Sequence, residues 1–324
     1  MQLDTAFDQH QTEVNADPAA VREARRRRDL FKQALAPEDD VTETFPSGSL
    51  ARGSQIDPVH DVDFVTIYDP EAHPDWGSPG TSAEDALRHV GSQVNKLLGA
   101  TNGTVAKEVR LASPRNHAVK CFMDDPDDPD AFTVDVMPAL RQADDTLLIP
   151  ERRSRRWIPA DPQDLIRQVA ARHAAWNQFV RLVRVLKHWN ESEKAGMNSL
   201  VVEVLALHHL PVAPRPEALQ RFFTAAAVAV GLPVTDPAGL CGEIQPDLDR
   251  AHARACLEAA ADVAWQARAA EARGDTDEAI CLWRKVLGPT FPEPPAGCAS
   301  AATGPVAAPA VLVRPRPVRD APQG

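Results

Sequence analysis

Asp61 and Asp63 sit two residues apart in Asp61-Val62-Asp63-Phe64-Val65-Thr66-Ile67-Tyr68, a run otherwise dominated by apolar residues. Read as a strand, the run sends both carboxylates to one face while Val62 and Phe64 point to the other. Two carboxylates held together repel unless a cation lies between them or one keeps its proton. Mg²⁺ is the natural solution: it is hard, takes oxygen ligands, and leaves room for water and substrate phosphates. A third carboxylate, Asp135, stands alone in the apolar run Phe132-Thr133-Val134-Asp135-Val136-Met137. Burying a lone Asp is costly without a partner, and a shared metal provides one.

Upstream lies Ser47-Gly48-Ser49-Leu50-Ala51-Arg52-Gly53-Ser54, a Gly/Ser-rich turn leading into a short helix. Gly48 lets the backbone approach a phosphate, and Ser49 with the free helix amides can donate to it. Each motif is weak alone. The order of GS, about a dozen residues, DxD on a strand and then a later strand-borne Asp is specific. The denser acidic run from Asp124 to Asp130 contains Pro and reads as a solvated turn. His60 is a poor first choice for Mg²⁺ and reads as a loop or outer-sphere residue. His208 and His209 close a helix, and Trp176 and Trp189 read as helical core.

These residues need elements to hold them. Ala19–Leu35 has helical apolar spacing; its Arg25–Arg28 run cannot face one ligand, since successive residues turn about 100°. From Val41 to Met137 the pattern is short strands: Thr42–Phe45, Asp61–Tyr68, a hairpin of Val105–Leu111 with His117–Met123, and Phe132–Met137. A helix over Ala83–Leu98 interrupts them. After Asp161-Pro162 the chain turns helical, through Gln163–Arg172, Trp176–Trp189, Ser199–Leu210, Pro216–Val230, Leu248–Arg273 and Asp275–Leu287. The expectation is an α+β fold: a mixed-sheet core with its N-terminal helix over 1–160, a helical lobe over 161–291, and a disordered Pro/Ala-rich tail over 292–324.

The 324 residues carry a net charge of −11, which argues against a dedicated binder of long nucleic acids. A local basic cleft remains compatible with it. The five cysteines are odd in number and lack CxxC spacing, so neither a disulfide framework nor a structural zinc site is expected. The N-terminus lacks the pattern of a signal peptide, and no apolar run approaches the roughly 18 residues of a membrane span. A reducing cytoplasm is the expected address.

Together these residues resemble the polymerase-β-like nucleotidyltransferase superfamily, and within it the bacterial cGAS/DncV-like nucleotidyltransferases (CD-NTases) of the SMODS type. Val134-Asp135-Val136-Met137-Pro138-Ala139-Leu140 is similar to that family's third-Asp strand. Leu148-Ile149-Pro150, Trp157 and Asp161-Pro162 match the stretch that follows it. Phe179 to Asn190, with Lys187, resembles the family's Lys-bearing helix, and Ser199-Leu200-Val201-Val202-Glu203 its paired helix start. The resemblance spans about Ala19 to Phe291.

It implies a nucleotidyltransferase core plus an oligoadenylate-synthetase-like helical lobe, with the nucleotide cleft between them. Asp61, Asp63 and Asp135 would bind two Mg²⁺, with Mn²⁺ a possible substitute. Gly48 and Ser49 would hold the donor triphosphate, with Lys187 and Ser199 reaching it from the lobe. On its own residues, Lys187 reads as a packed stem with a solvated head. The implied reaction joins NTPs into cyclic di- or trinucleotide second messengers for anti-phage (CBASS-type) defence, signalling to a downstream effector. The tail ending in Gly324 would suit a ubiquitin-like conjugation machinery or be inert. The rivals are a transferase that adds a nucleotide to RNA, protein or a small molecule, and a catalytically idle nucleotide-sensing partner.

Overall fold

The structure is a computed structural model and describes residues 1–99 and 108–298. Helices α1 (Leu3–Val14) and α2 (Pro18–Leu35) open the chain, followed by β1 (Val41–Ser47), α3 (Gly48–Arg52), β2 (Asp61–Tyr68) and α4 (Ser82–Leu98). Then come β3 (Leu111–Pro114), β4 (Val119–Phe122), β5 (Thr133–Arg141), β6 (Leu147–Glu151) and β7 (Arg156–Ala160). Helices α5 (Pro162–Ala175), α6 (Phe179–Ser192), α7 (Ser199–His209), α8 (Arg215–Ala229), α9 (Arg250–Ala272) and α10 (Thr276–Leu287) complete it. Among the described residues, no helix is long and apolar enough to cross a membrane.

The chain divides into two compact units. The sheet unit comprises 16–175 with 235–244 and is α+β, as expected. Its mixed sheet runs β1-β2-β5-β4-β3, with β6 pairing the end of β5 and β7 pairing β6. Only β2 and β5 are parallel among these neighbours. Strand alternation then sorts the side chains between two cores. Val62, Phe64, Val134 and Val136 join Phe31, Leu87 and Val90 of α2 and α4 in one. Val65, Ile67, Met137 and Ala139 on the other face join Phe45 and Ile149 in the second. The Arg25–Arg28 run splits: Arg25 and Arg26 are exposed, with Arg26 on Glu23, whereas Arg27, between Glu23 and Asp124, and Arg28, on Asp29, are half-buried.

Among the described residues, the helical unit holds 1–15, 176–234 and 245–298. Its boundaries differ from those expected. Helix α1, unseen in the sequence, belongs here because Phe7 packs edge-on against Trp283 and Phe291, at centroid distances of 5.3 and 5.0 Å. Its buried face includes His10 and Gln11, which hides the apolar period. Helix α5 stays with the sheet unit, as does Thr235–Ile244, where the Cys241 thiol donates to the Pro159 carbonyl at 3.2 Å.

Two further expectations fail in the helical unit. Pro292–Cys298 is not a disordered tail: Phe291 is fully buried, and Arg284 donates to its carbonyl and pairs with Glu293 at 3.2 Å. That return brings Cys298 to Cys281, and the two form a disulfide with Cα atoms 5.5 Å apart. Cysteine spacing carries no trace of a pairing set by a tertiary turn. Residues 299–324, including Gly324, and 100–107, with the start of the expected hairpin, lie outside the described residues.

His10 gives this unit an acid sensitivity. Burial and the neighbouring His188 push its imidazole down from 6.5 to about 4. The folded state holds it neutral, so stability is complete above about pH 6.5 and lost as pH falls toward 4. Between pH 7 and 5 this amounts to about 2 kcal/mol. The expected result is a falling Tm over that range in the wild type and a flatter profile in His10→Leu.

Candidate active site

The sheet register assembles the site. Parallel pairing sets Asp63 beside Asp135, antiparallel pairing sets Ser47 beside Asp63, and β4 sets Lys120 beside Asp135. A single row, Ser47–Asp63–Asp135–Lys120, therefore crosses four adjacent strands on one face. Asp61, two positions back on β2, adds its carboxylate to the same face and is exposed, while Asp63 is half-buried. This is the face that carries Val65 and Met137 farther along, so the carboxylates occupy its end beyond the apolar core.

Gly48 follows β1 directly and closes on Asp63. Its φ is +69°, a conformation favourable to glycine. A Cβ there would fall 1.6 Å from Asp63 Oδ2, so the turn exists only because that atom is missing. Ser49 and Leu50 then enter the short helix α3, whose Arg52 is buried. The His60 carbonyl accepts from Thr133 N at 2.7 Å, a structural bond that fixes the start of β5.

Like charges on adjacent strands are destabilising. Burial, then Asp61 and Asp135, pushes the Asp63 carboxyl up to about 8, against the opposing pull of Arg52 and Lys120. Lys120 is buried, with Nζ 3.5 Å from Asp135 Oδ1 and donating to Thr133 Oγ1 at 3.2 Å. Neither Lys120 nor Arg52 was singled out from sequence. A lone Lys between Val119 and Cys121 was the available signal, but its partner depends on register. The donor set is all oxygen and carries excess negative charge, which fits a hard divalent cation.

Lys187 and Ser199 lie in the helical unit. Lys187 does not have the solvated head expected from its own residues: it is 2% exposed and bonds Glu203, itself 1% exposed. Ser199 is exposed at the start of α7, which Asn198 caps by accepting from Val201 N at 2.7 Å. Removing one partner of a buried pair leaves an uncompensated charge, so Lys187→Met should cost about 3–5 kcal/mol. Adding Glu203→Leu should recover most of it, as chemical denaturation would show. Trp189 is core, packing on Phe223 at 4.9 Å, whereas Trp176 is only half-buried. His208 is exposed at the end of α7, and His209 beside it is half-buried.

The model of the Second Messenger Oligonucleotide or Dinucleotide Synthetase (SMODS) domain matches residues 1–172, more than half of the chain. The chain belongs to this family. It is a nucleotidyltransferase of the cGAS/DncV-like type. CdnC of E. coli MS115-1, solved with ATP, aligns over 90% of this chain and 99% of its own, with a TM-score of 0.67 at 18% identity. The Bradyrhizobium diazoefficiens CD-NTase CdnG, in complex with GTP, gives 0.62 at 14% over 88% and 98%. A STING-associated CdnE c-di-GMP synthase from Capnocytophaga granulosa gives 0.57 at 15% over 77% and 82%. At these identities the likeness establishes the polymerase-β-like CD-NTase fold. No curated protein matches the sequence. SMODS nucleotidyltransferases generally use divalent metals, in keeping with the oxygen-only donor set.

Proposed function

We propose that the chain joins NTPs into a cyclic di- or trinucleotide second messenger, in a Mg²⁺-dependent reaction serving anti-phage defence. The observation that carries this is the cross-strand row placing Asp63 beside Asp135, with Asp61 on the same face and bare Gly48 against Asp63. Two Mg²⁺ held by Asp61, Asp63 and Asp135 would neutralise charge on the entering and leaving oxygens of an in-line displacement.

The chain's own groups position the reactants. The Gly48 amide and the Ser49 hydroxyl bind the donor triphosphate, whereas Lys187, buried against Glu203, is spent within the helical unit. Asp135 takes the proton from a ribose hydroxyl as that oxygen bonds to the α-phosphorus. The bond to the bridging oxygen breaks and pyrophosphate leaves. Lys120, 3.5 Å from Asp135 Oδ1, fixes that carboxylate beside Asp63. Repetition with a closing transfer produces the ring. The cytoplasm, where NTPs are abundant, is the proposed site of action.

The test is incubation of the purified chain with Mg²⁺ and mixed NTPs, then phosphatase digestion and mass spectrometry. A phosphatase-resistant small product with the mass of linked nucleotides less pyrophosphate is expected. Label from an α-labelled NTP appearing on RNA or protein alone would point to the rival transferase. No turnover under any activating condition would point to the idle sensor. Conjugation through Gly324 is a separate proposal resting on the tail sequence, tested by a search for a C-terminal adduct in cells.

A further inference from the structure

Away from the carboxylate row, three side chains from separate segments meet at one point. Asp40 closes the turn between α2 and β1, His73 lies in the connection from β2 to α4, and His89 is on α4. One oxygen, Asp40 Oδ2, stands 2.9 Å from His73 Nε2 and 2.7 Å from His89 Nε2. One ligand atom from each residue lies within 4.8 Å of the other two. We infer that Asp40, His73 and His89 form a site for a zinc-class divalent cation, distinct from the catalytic carboxylates.

The donor chemistry separates the two sites. Two imidazoles and one carboxylate suit zinc and its first-row neighbours, whereas Mg²⁺ favours oxygen alone. The supporting groups are those a ligand set requires. Gln93 Nε2 donates to the second carboxylate oxygen, Asp40 Oδ1, at 2.9 Å, and Gln93 Oε1 accepts from the buried Tyr68 hydroxyl at 2.7 Å. Trp76 stacks on His73 with centroids 3.9 Å apart and planes 14° from parallel. The ligands are partly shielded rather than sealed: the Asp40 and His73 side chains are 18% and 14% exposed, and His89 is 35% exposed. Zinc bonds of roughly 2.0–2.1 Å at tetrahedral angles hold ligand atoms about 3.3 Å apart, so each ring need move from Asp40 Oδ2 by only about half an ångström.

The role is structural. Val41 pairs with Tyr68 at one end of the β1–β2 ladder, and Ser47 pairs with Asp63 at the other. A cation at Asp40 would pin the Asp69–Thr81 connection to α4 and to the start of β1, without touching the reacting groups.

The test uses the full chain, free of any histidine tag, stripped with EDTA and titrated with Zn²⁺ against a chromogenic indicator under excess Mg²⁺. One tight equivalent is expected in the wild type. His89→Ala and Asp40→Asn should weaken it by more than about 100-fold, and Gln93→Ala by about 10–100-fold. Cys256→Ser, which removes the thiol 3.7 Å from His252 Nε2, should leave it unchanged, as should Asp63→Asn. Binding no tighter than in the His73→Ala/His89→Ala double variant would overturn the inference. X-ray absorption at the zinc edge reads the wild type without relying on variant folding. Imidazole and oxygen scatterers support the site, and a sulfur shell overturns it.

Discussion

Gly48→Ala abolishes nucleotidyl transfer in a protein that still folds. The added methyl would lie 1.6 Å from Asp63 Oδ2 and 2.5 Å from its Cγ, distances no van der Waals contact tolerates. The clash is worst at the carboxylate, which swings away, and a 2.9 Å approach to Asp63 Cβ makes the turn itself shift slightly. The alanine must also hold φ at +69°, a penalty of about 1 kcal/mol or more. Stability therefore drops modestly, while Asp63 leaves its place beside Asp135. Loss of one preorganised charge-stabilising group lowers turnover by at least about 100-fold. Ser49→Ala removes a hydroxyl without touching Asp63 and should act mainly on KM. Steady-state pyrophosphate release with parallel thermal melts checks both variants. A Gly48→Ala enzyme with near wild-type kcat would break the link between the turn and the carboxylate.

Asp63→Asn is expected to be inactive and more stable than the wild type when divalent cations are chelated. Burial and two neighbouring carboxylates raise the Asp63 carboxyl to about 8 in the folded chain, against 3.8 as the ordinary value. The unfolded chain ionises it freely, so wild-type stability declines as pH climbs from about 4 and levels off above about 8. An amide of the same shape carries no such penalty. Its advantage is thus greatest above pH 8 and vanishes toward pH 4. A gain of about 1–2 kcal/mol, or several degrees in Tm, is the expected scale in EDTA at pH 8. Adding Mg²⁺ should narrow the gap, because the cation offsets repulsion only where the carboxylate is present. Equal melting of both proteins in EDTA across the pH range would show that Asp63 carries no electrostatic strain.

The carboxylates were legible because alternation along a strand is a local property. Asp61 and Asp63 share a face by spacing alone, and Asp135 announced itself as a lone charge in an apolar run. Lys120 was not legible, since its partnership with Asp135 comes from the pairing of β4 with β5 and not from any motif. The same limit explains Asp40, His73 and His89, which only the fold brings together. Helix α1 escaped notice because His10 and Gln11 occupy its buried face. Cys281 and Cys298 met through the return of the chain at Phe291, so counting cysteines misjudged them. Lys187 misled in another way: its own surroundings suggested a solvated head, and Glu203, a turn into the next helix, buries it instead.

The central claim is that Asp61, Asp63 and Asp135, set against Gly48, are the catalytic centre of a nucleotidyltransferase. Its most direct test is pyrophosphate release from mixed NTPs with Mg²⁺, comparing wild type with Asp135→Asn at matched folded concentration. Asp135 lies on β5, one strand beyond the Asp63 carboxylate that Gly48 closes on, so its substitution leaves the turn intact and isolates the chemical step. Release is expected in the wild type, with a fall of at least about 100-fold in the folded variant. Release at the wild-type rate from Asp135→Asn would contradict the claim.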